Sequence, residues 1–312
     1  MSTLQHDASP RPYNLQEDDE LTQECKDFIS SLPTEDSLCQ YNGFWIPTWF
    51  MQGVLAFQKH FQAHDTDILF ATSPKVGTTW LKAILFTLVN RMQHHVDCQE
   101  HPQLTNNPHV LVPYLYLILH NKKEVPDLTP FTSPRPFSTH LPYVLLPTSV
   151  KDSSCKIVYL CRNPKDTFVS LWHFQTKLNW TTDSLEEALD KFCRGVSSLG
   201  PYWDNVVGYW KESLENPQKI LFLRRLAEFL GCPFSPEEDA KGAVNNISRL
   251  CSFDNLSNLE VNKSGVSRRG VKYATFFCCG EVGGWVNYFT PQMVEKLNHT
   301  IEEKFHSIGL KF

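Results

Sequence analysis

Residues 67–91 read DILFATSPKVGTTWLKAILFTLVNR: a short apolar run ending at Ser73-Pro74, a turn of small residues, and an apolar segment with helical spacing. This pattern predicts strand, loop and helix in succession. Where the helix should start, the turn Pro74-Lys75-Val76-Gly77-Thr78-Thr79-Trp80 brings together one cation, one glycine and two hydroxyls beside amides that lack intrahelical partners. That chemistry suits a phosphate or sulfate. A nucleotide P-loop places its Lys after a second glycine, whereas here Lys75 precedes a single one, so an ordinary ATPase or GTPase is disfavoured. Taken alone, the same residues fit an ordinary helix N-terminus capped by Thr equally well.

The 312 residues are 41% hydrophobic, enough for one large α/β domain with a substantial core. A formal charge of -5 and a pI near 6.2 argue against a general nucleic-acid binder, so any anion site must be local. No signal peptide is visible in the first forty residues, and no apolar run approaches the roughly 18 residues needed to span a bilayer. Ten cysteines without C-x-x-C pairs fit neither a disulfide framework nor a structural zinc site, and a reducing cytoplasmic setting suits them best. His94, His95, His101 and His109 have no carboxylates in register and read as solvated loop histidines, so no metal site is expected.

Residues 1–40 are polar and punctuated by proline, a partly disordered arm ending in a short helix near Leu21 to Leu32; residues 41–312 form the domain. Tyr41 to Phe61 is rich in aromatics that could line a cleft or simply fill the core. Arg135 to His140 and Cys155 to Arg162 read as strands, and Asn163-Pro164-Lys165-Asp166 opens a helix with Asn as cap and Pro in the first turn. Ligands of open α/β sheets bind at the carboxyl ends of the strands, and three strands place Lys75, His140 and Arg162 there. Helices are also expected over Pro201 to Glu215, Pro236 to Leu250 and Pro291 to His306, and a strand over Lys219 to Leu223.

Together PKVGTTW, FSTHLP, CKIVYLCRNPKDTFVS, GPYWDNVVGYWK, LAEFLG, LCSF and GEVGGW resemble the cytosolic sulfotransferase family, and within it the plant flavonol-type enzymes. The resemblance runs from about Tyr41 to the C-terminus. It implies a single α/β domain, a parallel sheet flanked by helices with a P-loop-like phosphosulfate site. The implied enzyme moves the sulfuryl group of 3'-phosphoadenylyl sulfate (PAPS) to a hydroxyl of a small plant metabolite, steroid or hormone. Its implied partners are therefore the donor and a small acceptor, without nucleic acid or membrane. Lys75, Val76, Gly77, Thr78 and Thr79 would hold the 5'-phosphosulfate, with Lys75 steadying the leaving oxygen, and Trp80 would stack on the adenine. His140 would be the general base, a role suited to an imidazole near neutral pH. Arg162 and Ser170 would hold the 3'-phosphate.

Three departures from the family pattern bear on activity. Val76 stands where members usually carry Ser, a change tolerated if the backbone amide makes the contact. Cys278, Cys279 and Gly280 occupy nucleotide-binding positions where members carry Arg-Lys-Gly, and Gly284 replaces an Asp. The junction Leu223-Arg224-Arg225 lacks a Tyr-containing turn and half a helix, which reads as a deletion near 224 and should leave part of the sheet uncovered. A catalytically impaired, ligand-binding protein is accordingly the alternative to an active enzyme. Charge-assisted bonds to phosphate contribute about 1.5 to 3 kcal/mol each. Restoring Cys278→Arg together with Cys279→Lys should therefore tighten 3',5'-ADP binding by about ten-fold or more in calorimetry; unchanged affinity would mean that the 3'-phosphate lies elsewhere.

Overall fold

The apolar run of the opening stretch forms a strand, Ile68–Thr72, in which every residue is buried. Alternate side chains enter two cores on opposite faces: Leu69 and Ala71 on one, Ile68 and Phe70 on the other. Burial on both faces is why the strand is continuously apolar rather than alternating. The computed structural model describes residues 21–310 other than 97, 120–127, 129–130, 132, 223–225, 233, 268 and 278–281. The deletion expected near 224 and the Cys278-Cys279-Gly280 positions fall outside the described residues, as do residues 1–20 of the expected arm.

In chain order, α1 (Gln23–Ser30) precedes an antiparallel sheet of β1 (Thr34–Glu35), β2 (Leu38–Tyr41) and β3 (Phe44–Pro47). The helix α2 (Met51–His60) leads to β4 (Ile68–Thr72) and α3 (Thr78–Asn90). Two short helices, α4 (Pro108–Leu111) and α5 (Leu115–Ile118), then lead to β5 (Pro136–Thr139). Next come α6 (Thr148–Asp152), β6 (Lys156–Leu160), α7 (Pro164–Lys177), α8 (Leu185–Cys193), α9 (Tyr202–Glu215) and β7 (Ile220–Phe222). The helices α10 (Leu226–Phe229), α11 (Pro236–Ala240), α12 (Ala243–Leu250), α13 (Phe253–Asn258), α14 (Glu260–Ser264) and α15 (Pro291–Phe305) complete the fold.

The second sheet is wholly parallel, in the order β5-β4-β6-β7, and β4 pairs with both β5 and β6. Register sets Ala71 beside Thr139 and Thr72 beside Leu160, so three strands end at one edge. The chain steps from β4 outward to β5, then crosses back to β6 on the other flank, which makes this edge a topological switch point. At the opposite edge, Arg135 donates from Nε and Nη2 to the two carboxylate oxygens of Asp67 at 2.7 and 2.6 Å, joining the residues that precede β5 and β4. This bidentate pair is buried.

One expectation requires correction. The helix expected over Pro236 to Leu250 divides at Lys241-Gly242, where Gly242 takes φ +71°, a left-handed turn that suits glycine. The short helix expected near Leu21 to Leu32 is α1, capped by Thr22, with Cys25 buried in the larger core. Phe70 of β4 and Val158 of β6 are fully buried, packed with α3 and with Leu226, Phe229 and Leu230.

Removing one partner of a buried ion pair leaves the other charge uncompensated, at a cost of about 3–5 kcal/mol. Arg135→Ala should therefore lower the denaturation midpoint by a correspondingly large step without changing the slope, and a shift within error of native would show that Asp67 finds another partner.

Candidate active site

Beyond Thr72 the chain must turn tightly to start α3. Lys75 adopts φ +66° and Gly77 φ +110°, so the loop is held in left-handed backbone that costs a lysine energy and suits glycine. Between them Val76 is 4% exposed and packs into the core, which anchors the loop from beneath. No side chain caps α3 at Gly77. The orphan amides of a first helical turn thus remain to bind something else.

The loop borders a cavity of about 940 Å³ with a mainly apolar wall. Lys75, Val76, Gly77, Thr78, Thr79, Trp80, His140, Arg162 and Ser170, nine positions expected from sequence, all line it. Lys75 Nζ lies 4.4 Å from the centre of the Phe174 ring, and Trp80 is 46% exposed. Asn163 caps α7 as expected, its side chain accepting from the Lys165 amide at 2.9 Å, and this places Arg162 just before the helix. Arg162 stands 3.8 Å from the buried Asp166, which also accepts from the amides of Gly283 (3.0 Å) and Trp285 (3.4 Å). One carboxylate therefore ties the Arg162 side of the cavity to the chain beyond the undescribed Cys278–Glu281 segment.

His140 follows β5. Its Nδ1 lies 2.7 Å from the Thr72 carbonyl oxygen, which can only accept, so Nδ1 carries the proton and Nε2 holds the lone pair. Tyr114 donates its phenolic proton to that Nε2 at 2.7 Å. Burial, with Lys82 and Lys75 adding to it and the Thr72 bond opposing it, pushes the His140 pKa down to about 3. The imidazole is neutral at physiological pH. The Thr72 hydroxyl links the two halves of the site, lying 2.9 Å from His140 Nδ1 and 3.0 Å from the Thr78 hydroxyl.

Three contributors escaped the sequence reading. Lys82, one turn into α3, is fully buried, and its Nζ lies 3.1 Å from His109 Nδ1 and 3.4 Å from the Tyr114 ring centre. Burial lowers its pKa well below the usual lysine value. His109 bridges the amine to the loop, its Nε2 lying 3.0 Å from the Thr79 hydroxyl. The signal was a lone lysine amid the apolar face of α3, while Tyr114 looked like one more apolar residue. The reading of solvated loop histidines fails for His101, which is 1% exposed, and for His109, whose pKa burial and Lys82 depress.

Residues 65–309 match the family described as "Sulfotransferase domain". The chain belongs to the sulfotransferase family. It is 48% identical to Cytosolic sulfotransferase 5 of Arabidopsis thaliana, across 94% of this chain and 98% of that one. An Arabidopsis thaliana protein assigned as a steroid sulphotransferase has a crystal structure that superposes with a TM-score of 0.74, at 40% identity, covering 92% of this chain and 94% of that one. The mouse sulfotransferase SULT7A1, crystallised with PAP, superposes with a TM-score of 0.65, at 25% identity over 86% of this chain and 94% of that one. The family resemblance read from the motifs therefore holds, as does the α/β fold with its helix-flanked parallel sheet. No helix among the described residues is long and apolar enough to cross a membrane.

Proposed function

We propose that this sulfotransferase transfers the sulfuryl group of PAPS to a hydroxyl of a small, ring-containing acceptor in the cytoplasm. The observation that carries the proposal is His140, its lone pair fixed at Nε2 by the Thr72 carbonyl, lining the same cavity as the Lys75–Trp80 loop. The cations and hydroxyls there suit the two anionic ends of the donor. Lys75 and the 77–79 amides and hydroxyls would bind the phosphosulfate, and Arg162 with Ser170 the 3'-phosphate, with Trp80 against the base. The names of the Arabidopsis relatives support the cytoplasmic placement.

Sulfuryl transfer, like phosphoryl transfer, asks the protein chiefly to position the partners in line and stabilise charge. Lys75 would neutralise charge on the oxygen that leaves with the 5'-phosphate, while His140 accepts the acceptor proton as the new S–O bond forms. Aromatic side chains such as Phe50, Tyr116 and Phe131 line the rest of the cavity and suit a flat hydroxylated ring system, of which flavonols, steroids and hormone derivatives are examples.

His140→Ala should abolish transfer and leave 3',5'-ADP affinity nearly native; retained turnover would refute the assignment. Absence of 3',5'-ADP binding at millimolar concentration would refute the reaction as a whole. The depressed pKa of His140 also has a sign. The group is already neutral above about pH 5, so kcat/KM should remain level from pH 8 to about 5, without an inflection at the ordinary histidine value near 6.5. An acid limb centred near 6.5 would show that the His140 pKa is not depressed.

A further inference from the structure

The lone pair that a base must offer is already taken. Tyr114 occupies Nε2 of His140 at 2.7 Å, and His140 has no second basic atom because Nδ1 is committed to Thr72. An acceptor hydroxyl must therefore either push the phenol aside or pass its proton through it. The surroundings oppose displacement. Lys82 Nζ stands 3.4 Å from the ring centre, the His109 ring stacks at 5.5 Å, and the His140 and Tyr116 rings lie at 4.6 and 5.6 Å. Tyr114, His140 and Thr78, the first residue of α3, all line the one cavity, so the phenol stands beside both the base and the loop.

We propose that Tyr114 is a further catalytic residue, a relay through which the proton of the acceptor hydroxyl reaches His140. The inference rests on His140 being the base, as in the function proposed above. As the acceptor oxygen bonds to sulfur, the bond from sulfur to the bridging oxygen breaks and its electron pair leaves on the 5'-phosphate of 3',5'-ADP. The acceptor proton passes to the Tyr114 oxygen while the Tyr114 proton passes to His140 Nε2. The phenol ends as it began, and His140 becomes an imidazolium that later yields its proton to water. Burial holds the Tyr114 pKa well above the ordinary tyrosine value, which disfavours a free phenolate and so couples the two proton movements in one step.

The test uses the full-length protein, PAPS carrying a labelled sulfuryl group, and three acceptors: 4-nitrophenol, a flavonol and a steroid alcohol. Single-turnover rates of the native protein, Tyr114→Phe and His140→Ala are compared. Tyr114→Phe should lower the rate by about 100-fold, in the range for loss of general acid–base assistance, with 3',5'-ADP affinity and melting temperature near native. In mixtures of light and heavy water, the native rate should follow a curved dependence on deuterium fraction, the mark of two protons in flight. If the phenylalanine variant does not fold, that curvature alone decides, and a linear dependence overturns the relay. A Tyr114→Phe rate equal to or above native, with His140→Ala inactive, overturns the relay but leaves His140 as base. No turnover of any acceptor by the native protein, or turnover by His140→Ala, overturns the underlying function and the relay with it.

Discussion

The hydrogen bond from His140 Nδ1 to the carbonyl of Thr72 joins the ends of two neighbouring strands and decides which imidazole nitrogen is basic. Its length of 2.7 Å depends on parallel register, which sets Ala71 beside Thr139 and so brings the last residue of β4 to the residue after β5. The buried pair of Asp67 and Arg135 holds the same two strands at their other ends. A slip of one residue would turn His140 away and reverse which faces of β4 meet the two cores.

Around that bond the site consists of polar groups whose protons are assigned by one another. Lys82 contacts His109, His109 engages the Thr79 hydroxyl, and Thr72 connects His140 to Thr78. Buried polar groups of this kind are costly unless satisfied, and satisfied networks rigidify the elements they connect. The loop from Lys75 to Gly77 gains further rigidity from the buried Val76 side chain. On the far wall Asp166 plays the corresponding part, gathering Arg162 and the amides of Gly283 and Trp285.

Much of this was legible because it is local. The apolar run, the small-residue turn and the helical spacing of residues 67–91 determine β4, the loop and α3 through nearest-neighbour physics, and the Asn163 cap with Pro164 determines where α7 begins. Ser184 and Glu187 likewise form a capping box at the start of α8, three residues apart. Reading failed where two local signals compete or where burial decides. Gly242 interrupts an otherwise helical pattern, and an isolated glycine can be tolerated or can end a helix. His101 and His109 lie in a polar stretch, and only tertiary packing buries His101 and sets His109 against Thr79 and Lys82 of α3.

The sequence alone determined that a lysine-bearing small-residue turn, a histidine and an arginine each come directly after a strand, and the strands of a parallel sheet present their succeeding residues at one common edge. It also carried the motifs of the family. Only the tertiary structure decided the chemistry among them: that His140 is neutral, that its lone pair faces Tyr114, and that Lys82 is buried beneath the site. Protonation state and tautomer depend on desolvation and on partners distant in sequence, 26 residues away for Tyr114 and 68 for Thr72, and no local pattern encodes either.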